Sequence, residues 1–172
     1  MLSLAAGCVV SDPPTYGVTK QTPPFLDAIS ATPSIFGRLD LVAGQTKQFN
    51  VPVRSEDLGD PLFAVFWLDY GIKEAGIPKQ QLLTFREIPP STFEDAARFV
   101  TINWNYTVKA GCHAVSLIVT HKSNLGPDNE PTAVDDTAIL TWWLNYDDDP
   151  SDPNVMTPTD QKPGCPQFGG TN

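Results

Sequence analysis

Cys112-His-Ala-Val-Ser-Leu-Ile-Val-Thr-His121 (CHAVSLIVTH) decides the fold of this chain. In extended backbone, His113, Val115, Leu117 and Val119 share one face, and Cys112, Ala114, Ser116 and Ile118 share the other. The run is rich in β-branched residues, which suit a pleated, packed surface. Ala110-Gly111 before it reads as a turn.

The same period of two extends in both directions. TAILTWWLNY (137–146) follows, dense in aromatic and β-branched residues. ARFVTINW (97–104) and QLLTFREI (81–88) precede it, and before them LFAVFWLDY (62–70) is almost wholly apolar, as a central strand buried on both faces would be. TKQFNVPV (46–53) puts Phe49, Val51 and Val53 on one face, and LDAIS (26–30) reads as a short first strand. Turn residues separate these runs at Ala43-Gly44, Gly59-Asp60-Pro61, Gly71, Pro89-Pro90 and Gly126-Pro127. Glu94–Arg98 has room for one helical turn. Seven short, regularly spaced strands predict an all-β fold, an antiparallel β-sandwich.

Lys109-Ala-Gly-Cys-His-Ala-Val-Ser-Leu-Ile-Val-Thr120 resembles the penultimate strand of immunoglobulin-like sandwiches, especially the PKD and fibronectin type III kinds. The resemblance spans about Phe25 to Tyr146. It implies a core tryptophan on the third strand, at Trp67, and a corner role for His113, where those families often carry tyrosine.

With 172 residues the chain holds one domain of ordinary size with tails, and a hydrophobic content of 41% supplies a core for it. The formal net charge of −9 argues against nucleic acid, whose phosphates need a basic patch. No apolar run approaches the ~20 residues of a spanning helix.

Leu4-Ala-Ala-Gly-Cys8 resembles the lipobox of bacterial lipoproteins, with alanine at position 5 where leucine is commonest. The resemblance implies cleavage before Cys8 and a diacylglycerol on its sulfur. Residues 1–7 are then the remainder of a signal, and residues 8–24, proline-rich and without periodicity, a tether. Valine after Cys8, where aspartate goes with inner-membrane retention, implies the outer membrane. An exported chain meets an oxidising compartment, so the two remaining cysteines read as a Cys112–Cys165 disulfide. The end of the last strand at Tyr146 should lie beside Cys112, so the bridge would staple the acidic, proline-rich tail 147–172 to the sheet's outer surface. On the chain-entropy account that is worth up to about 4 kcal/mol.

Constellations for chemistry are sparse. His113 and His121 stand eight residues apart on one strand, about 26 Å, too far to share a metal. No Gly-x-Ser-x-Gly occurs, so no enzymatic activity is expected. Asn105-Tyr-Thr107 fits a glycosylation sequon, a match that the lipobox resemblance, with the bacterial source it implies, makes accidental. Two acidic loops, with Glu56, Asp57 and Asp60, and with Asp128, Glu130, Asp135 and Asp136, should meet at one end of the sandwich. They read either as a Ca²⁺ site, the one cofactor to consider, or as a solvated acidic pair. A second cluster, Asp147, Asp148, Asp149 and Asp152, suits a charged tail that blocks edge pairing. Trp142 and Trp143 must face opposite sides. Trp143 with Tyr146 forms a candidate ligand surface for a glycan or protein, unless the tail, with Phe168, covers it.

The expected protein is thus a non-enzymatic, lipid-anchored envelope protein displaying one interaction domain on the membrane. The alternatives are a glycan- or protein-binding module, Ca²⁺-dependent or not, and a hydrolase with an unrecognised site.

Overall fold

The structure, a computed structural model, describes residues 21–91 and 97–147. Ten strands appear: β1 Phe25–Leu26, β2 Arg38–Val42, β3 Lys47–Arg54, β4 Leu62–Leu68, β5 Lys73–Glu74, β6 Ile77–Pro78, β7 Gln81–Ile88, β8 Arg98–Trp104, β9 Gly111–His121 and β10 Thr137–Asp147. Two short 3₁₀ turns, Lys122–Asn124 and Val134–Asp136, are the only helical pieces among the described residues. One sheet has the order β1-β3-β8 and the other β2-β10-β9-β4-β7, while β5 and β6 form a small separate hairpin. Every pairing is antiparallel except β10 with β2. This is an all-β, immunoglobulin-like sandwich.

The core lies between the sheets. Phe49, Val51 and Val53 of β3 and Val100, Ile102 and Trp104 of β8 face Leu62, Ala64 and Phe66 of β4, Val115, Leu117 and Val119 of β9, and Leu140, Trp142 and Leu144 of β10. Phe49 stands edge-on to Trp142 at 4.9 Å between centroids and tilted against Phe66 at 5.2 Å. Burying one such side chain contributes roughly 1.5–3 kcal/mol. The Trp142 indole N–H donates to the Pro33 carbonyl at 2.8 Å, so its one polar group is satisfied inside the core.

Three expectations need correction. Trp67 is not an inter-sheet residue. The even-numbered positions of β4 face the core, so Trp67 points to the outer face, where it packs with Val65 and Ile118. The inter-sheet tryptophans are Trp104 and Trp142. The strand expected over 26–30 stops at Leu26, because the Asp27 carboxylate accepts bonds from the Ile29 N–H, the Ser30 N–H and the Ser30 hydroxyl and so folds the chain into a turn. An unexpected strand, β2, lies on the edge beside β10. Leu41 points into the core, and Arg38 and Asp40, paired at 3.1 Å, point out. The helical turn expected at Glu94–Arg98 falls mostly outside the described residues, and Arg98 opens β8.

The open side of the sandwich, between edges β7 and β8, is closed by side chains. Arg86 donates to the Thr101 carbonyl and the Tyr106 hydroxyl to the Leu83 carbonyl, which occupies edge acceptors that another chain would otherwise use.

Candidate functional site

The sandwich has two ends. The lower end carries the β3–β4 turn, the chain's entry at Gln21 and the long β9–β10 connection. The upper end carries the β4–β7 connection, the start of β9 and the end of β10.

At the lower end the two acidic loops meet as expected, but around a histidine. His121, the last residue of β9, is fully buried. Its Nδ1 lies 2.6 Å from Asp136 Oδ1, and its Nε2 lies 3.4 Å from Asp57 Oδ2 and 3.5 Å from Ser55 Oγ. Asp136 is fixed through its carbonyl, which accepts from the Thr120 hydroxyl at 2.6 Å. Asn124 cross-links the connection by donating to Ala133 O and accepting from Thr132 Oγ1 and Ala133 N–H.

The other acids disperse. Asp60 accepts from the Gln21 amide at 2.9 Å, and Glu130 folds back to accept from the Gln80 amide at the upper end. Glu56, Asp128 and Asp135 are exposed. Among the described residues no group of three or more His, Cys, Asp or Glu side chains is placed to hold a metal ion.

Ser55, His121 and Asp136 stand in the order of a serine hydrolase triad, an alignment the sequence hid because its members come from three separate segments. The geometry does not favour attack. Ser55 and His121 are both buried, the Oγ–Nε2 separation is at the hydrogen-bond limit, and Ser55 Oγ already accepts from the Asp57 N–H. The cluster instead holds the incoming chain: Asp57 Oδ2 accepts from the Thr22 N–H at 2.8 Å and the Thr22 hydroxyl at 3.0 Å, and the Ser123 hydroxyl donates to Gln21 at 2.8 Å.

At the upper end His113 takes the corner place that its position suggests. Its Nδ1 meets Asp69 Oδ2 and its Nε2 meets the Lys109 carbonyl, both at 2.8 Å. Asp69 turns the chain out of β4 with φ at +52° and accepts from the Ala114 N–H through its other oxygen. The hydrogen bond to Asp69 holds His113 above the usual imidazole range, against the burial that pulls it down.

The outer face of the five-stranded sheet has two halves. Over β4 and β9, Trp67, Val65 and Ile118 are covered by Leu125 of the folded-back β9–β10 connection, with Tyr70 and Leu82. Burial, then the nearby Glu130 carboxylate, raises the Tyr70 phenol above its ordinary value. Over β10 and β2, Trp143 is half-buried and is paired in register with Ala114 and Arg38. Polar groups surround it: Thr141 bonds Ser116 at 2.9 Å, and Asn145 donates to Asp40 at 3.2 Å. Tyr146 does not join Trp143. It lies on the opposite face, 2% exposed, with its ring against Trp104 at 6.4 Å. An odd and an even position on one strand cannot share a face.

Cys112 sits on this outer face opposite Asn145, one register position from Tyr146. Cys165, Cys8, Phe168, Asp148, Asp149 and Asp152 lie outside the described residues, as does the side chain of Asp147.

No family model matches the chain, and no curated protein matches it. Several solved structures are similar to the chain at low overlap. The CARDB domain of the PF1109 protein from Pyrococcus furiosus, in complex with di-metal ions, is 12% identical over 66% of this chain and 88% of that one, with a TM-score of 0.43. A superoxide reductase (neelaredoxin) from Ignicoccus hospitalis is 10% identical over 75% and 83%, with a TM-score of 0.42. A chitin binding domain from Burkholderia pseudomallei is 10% identical over 64% and 57%, with a TM-score of 0.39. At such values these likenesses assign no activity or ligand to this chain, whose fold stands on its own topology as an immunoglobulin-like β-sandwich.

Proposed function

We propose that this chain is a non-enzymatic, lipid-anchored protein of a bacterial envelope that displays one β-sandwich interaction domain. The diacylglycerol sits on Cys8, outer-membrane placement follows from Val9, and a Cys112–Cys165 bridge fastens the tail. The observation that carries the reading is the clamp on the incoming chain. Asp57 and Asp60 grip Thr22 and Gln21, thirteen residues after Leu-Ala-Ala-Gly-Cys8, so a tether from that cysteine would enter the domain at a fixed point. Metabolic labelling with a palmitate analogue tests it: the wild type should be marked and Cys8→Ala should not. Equal labelling of both would end the reading.

A second reading, a glycan-binding module, rests on Trp143. A half-buried indole on a flat sheet, ringed by Arg38, Asp40, Thr141 and Asn145, offers a stacking plane with hydrogen-bonding groups beside it. Retention on insoluble polysaccharide that Trp143→Ala abolishes would support it, and equal behaviour of the two proteins would remove it.

A further inference from the structure

Exposed apolar side chains are distributed unevenly between the two ends. Phe25 (61% exposed), Phe99 (62%), Leu58 (45%) and Val134 (85%) all lie at or next to the lower end, whereas the upper-end connections 43–46, 69–73 and 105–110 contribute no large exposed hydrophobic side chain among the described residues. Phe25 and Phe99 share the outer face of the three-stranded sheet, one on each side of β3, with Arg54 and Pro52 between them. The chain enters here as well, held at Gln21 and Thr22.

We propose that this lower end is a membrane-contact surface, and that its partner is a bilayer of neutral, zwitterionic lipid. The inference rests on the anchored reading and adds to it which face meets the lipid. Three observations carry it. The tether has 12 residues between Cys8 and Gln21, thirteen steps with a reach of no more than about 47 Å, and it ends on this face. The aromatic rings and aliphatic tips there are the kind that settle into the headgroup boundary. The carboxylates nearest the entry, Asp57 and Asp60, are engaged by Thr22, Gln21 and His121, which weakens their opposition to the surface, while the exposed Glu56 and Asp135 restrict the contact to the polar headgroup layer. The net charge of −9 opposes anionic lipid, so zwitterionic headgroups fit better. The upper end, with His113, Asp69 and the β5–β6 hairpin, then stands roughly 35 Å away, one length of β10.

The test uses the full chain, ¹⁵N-labelled, with a dipalmitoyl peptide ligated to its N-terminus so that capture does not depend on Cys8 chemistry. It is placed on phosphatidylcholine vesicles doped with a nitroxide lipid. Amide signals of Leu58, Phe99 and Val134 should be broadened at least about threefold more than those of Gly44, Lys73 and Lys109, because nitroxide broadening falls steeply over the length of the domain. In Phe25→Ser/Phe99→Ser the contrast should fall by about half or more, with melting unchanged because both rings are exposed. Equal broadening of the two ends, or stronger broadening of the upper one, would overturn the surface. So would a contrast indifferent to the double substitution. Failure of Cys8 labelling in cells alongside an intact contrast would remove the anchor and leave the surface standing.

Discussion

His113 and Asp69 are joined at 2.8 Å between Nδ1 and Oδ2, and the other ring nitrogen of His113 faces the Lys109 carbonyl at the same distance. Both partners are acceptors, so only the doubly protonated ring satisfies both. The pair pins the end of β4 to the start of β9.

A pH dependence follows. The folded-state pKa of His113 is raised by Asp69, so its contribution to stability is complete below the unfolded value near 6.5. It is lost as pH rises through the folded value. Urea midpoints should fall from pH 6 into the alkaline range, and His113→Gln should flatten that slope. A wild-type profile parallel to that of His113→Gln would refute the pairing.

The placement of the tryptophans can be checked by paired substitutions. Trp142→Phe loses the bond to Pro33 and leaves space in the core, at a cost of about 2–3 kcal/mol. The Trp67 indole N–H has no hydrogen-bond partner, so Trp67→Phe should cost only about 1 kcal/mol. Denaturant titration distinguishes the two, and equal losses would contradict the corrected placement.

The clamp on the incoming chain predicts a graded series. Thr22→Val removes one hydroxyl bond and should cost about 1 kcal/mol. Asp57→Ala removes the acceptor of two Thr22 bonds and one side of His121, and should cost about 2–3 kcal/mol. Amide exchange at Thr22 should speed up most in Asp57→Ala. Unchanged exchange there would show that the segment is held by something else.

Gly126 sits where the β9–β10 connection folds back, and an added Cβ would come 3.0 Å from the Glu130 carbonyl oxygen. Gly126→Ala should therefore loosen the cover over Trp67, costing roughly 1 kcal/mol and shifting tryptophan emission to the red. An unshifted spectrum with unchanged stability would show that the connection absorbs the methyl group.

Ala75 occupies the left-handed region at φ +49° in the hairpin between β5 and β6. Ala75→Gly relieves that strain and should raise stability by about 0.5–1 kcal/mol in thermal melts.

The long strands were legible because alternation is strongest where one face packs on a core. Phe49, Val51 and Val53 read as one face and form one face. The edge strand β2 was not, because it is short and carries Arg38 and Asp40 outward, whereas the edges β7 and β8 were read at nearly their observed bounds. Asp27 ends β1 through its side chain, a local competition that a period-two scan does not register. The faces of Trp67 and Tyr146 were readable from parity with Phe66 and Trp142. The aromatic richness of both runs obscured that arithmetic. The His121 cluster left only a coarse trace, two acidic loops expected at one end, because its members are assembled by topology from positions 55–57, 121 and 136.

Strand β10 is interior to its sheet, between β2 and β9, and its contact with β2 joins Asn145 to Asp40 across 105 residues. A chain leaving the ribosome therefore carries β2 with no neighbour and β9 with a bare edge until β10 emerges. Completion of the five-stranded sheet therefore waits for β10, and a product truncated before Thr137 would expose two sticky borders at once.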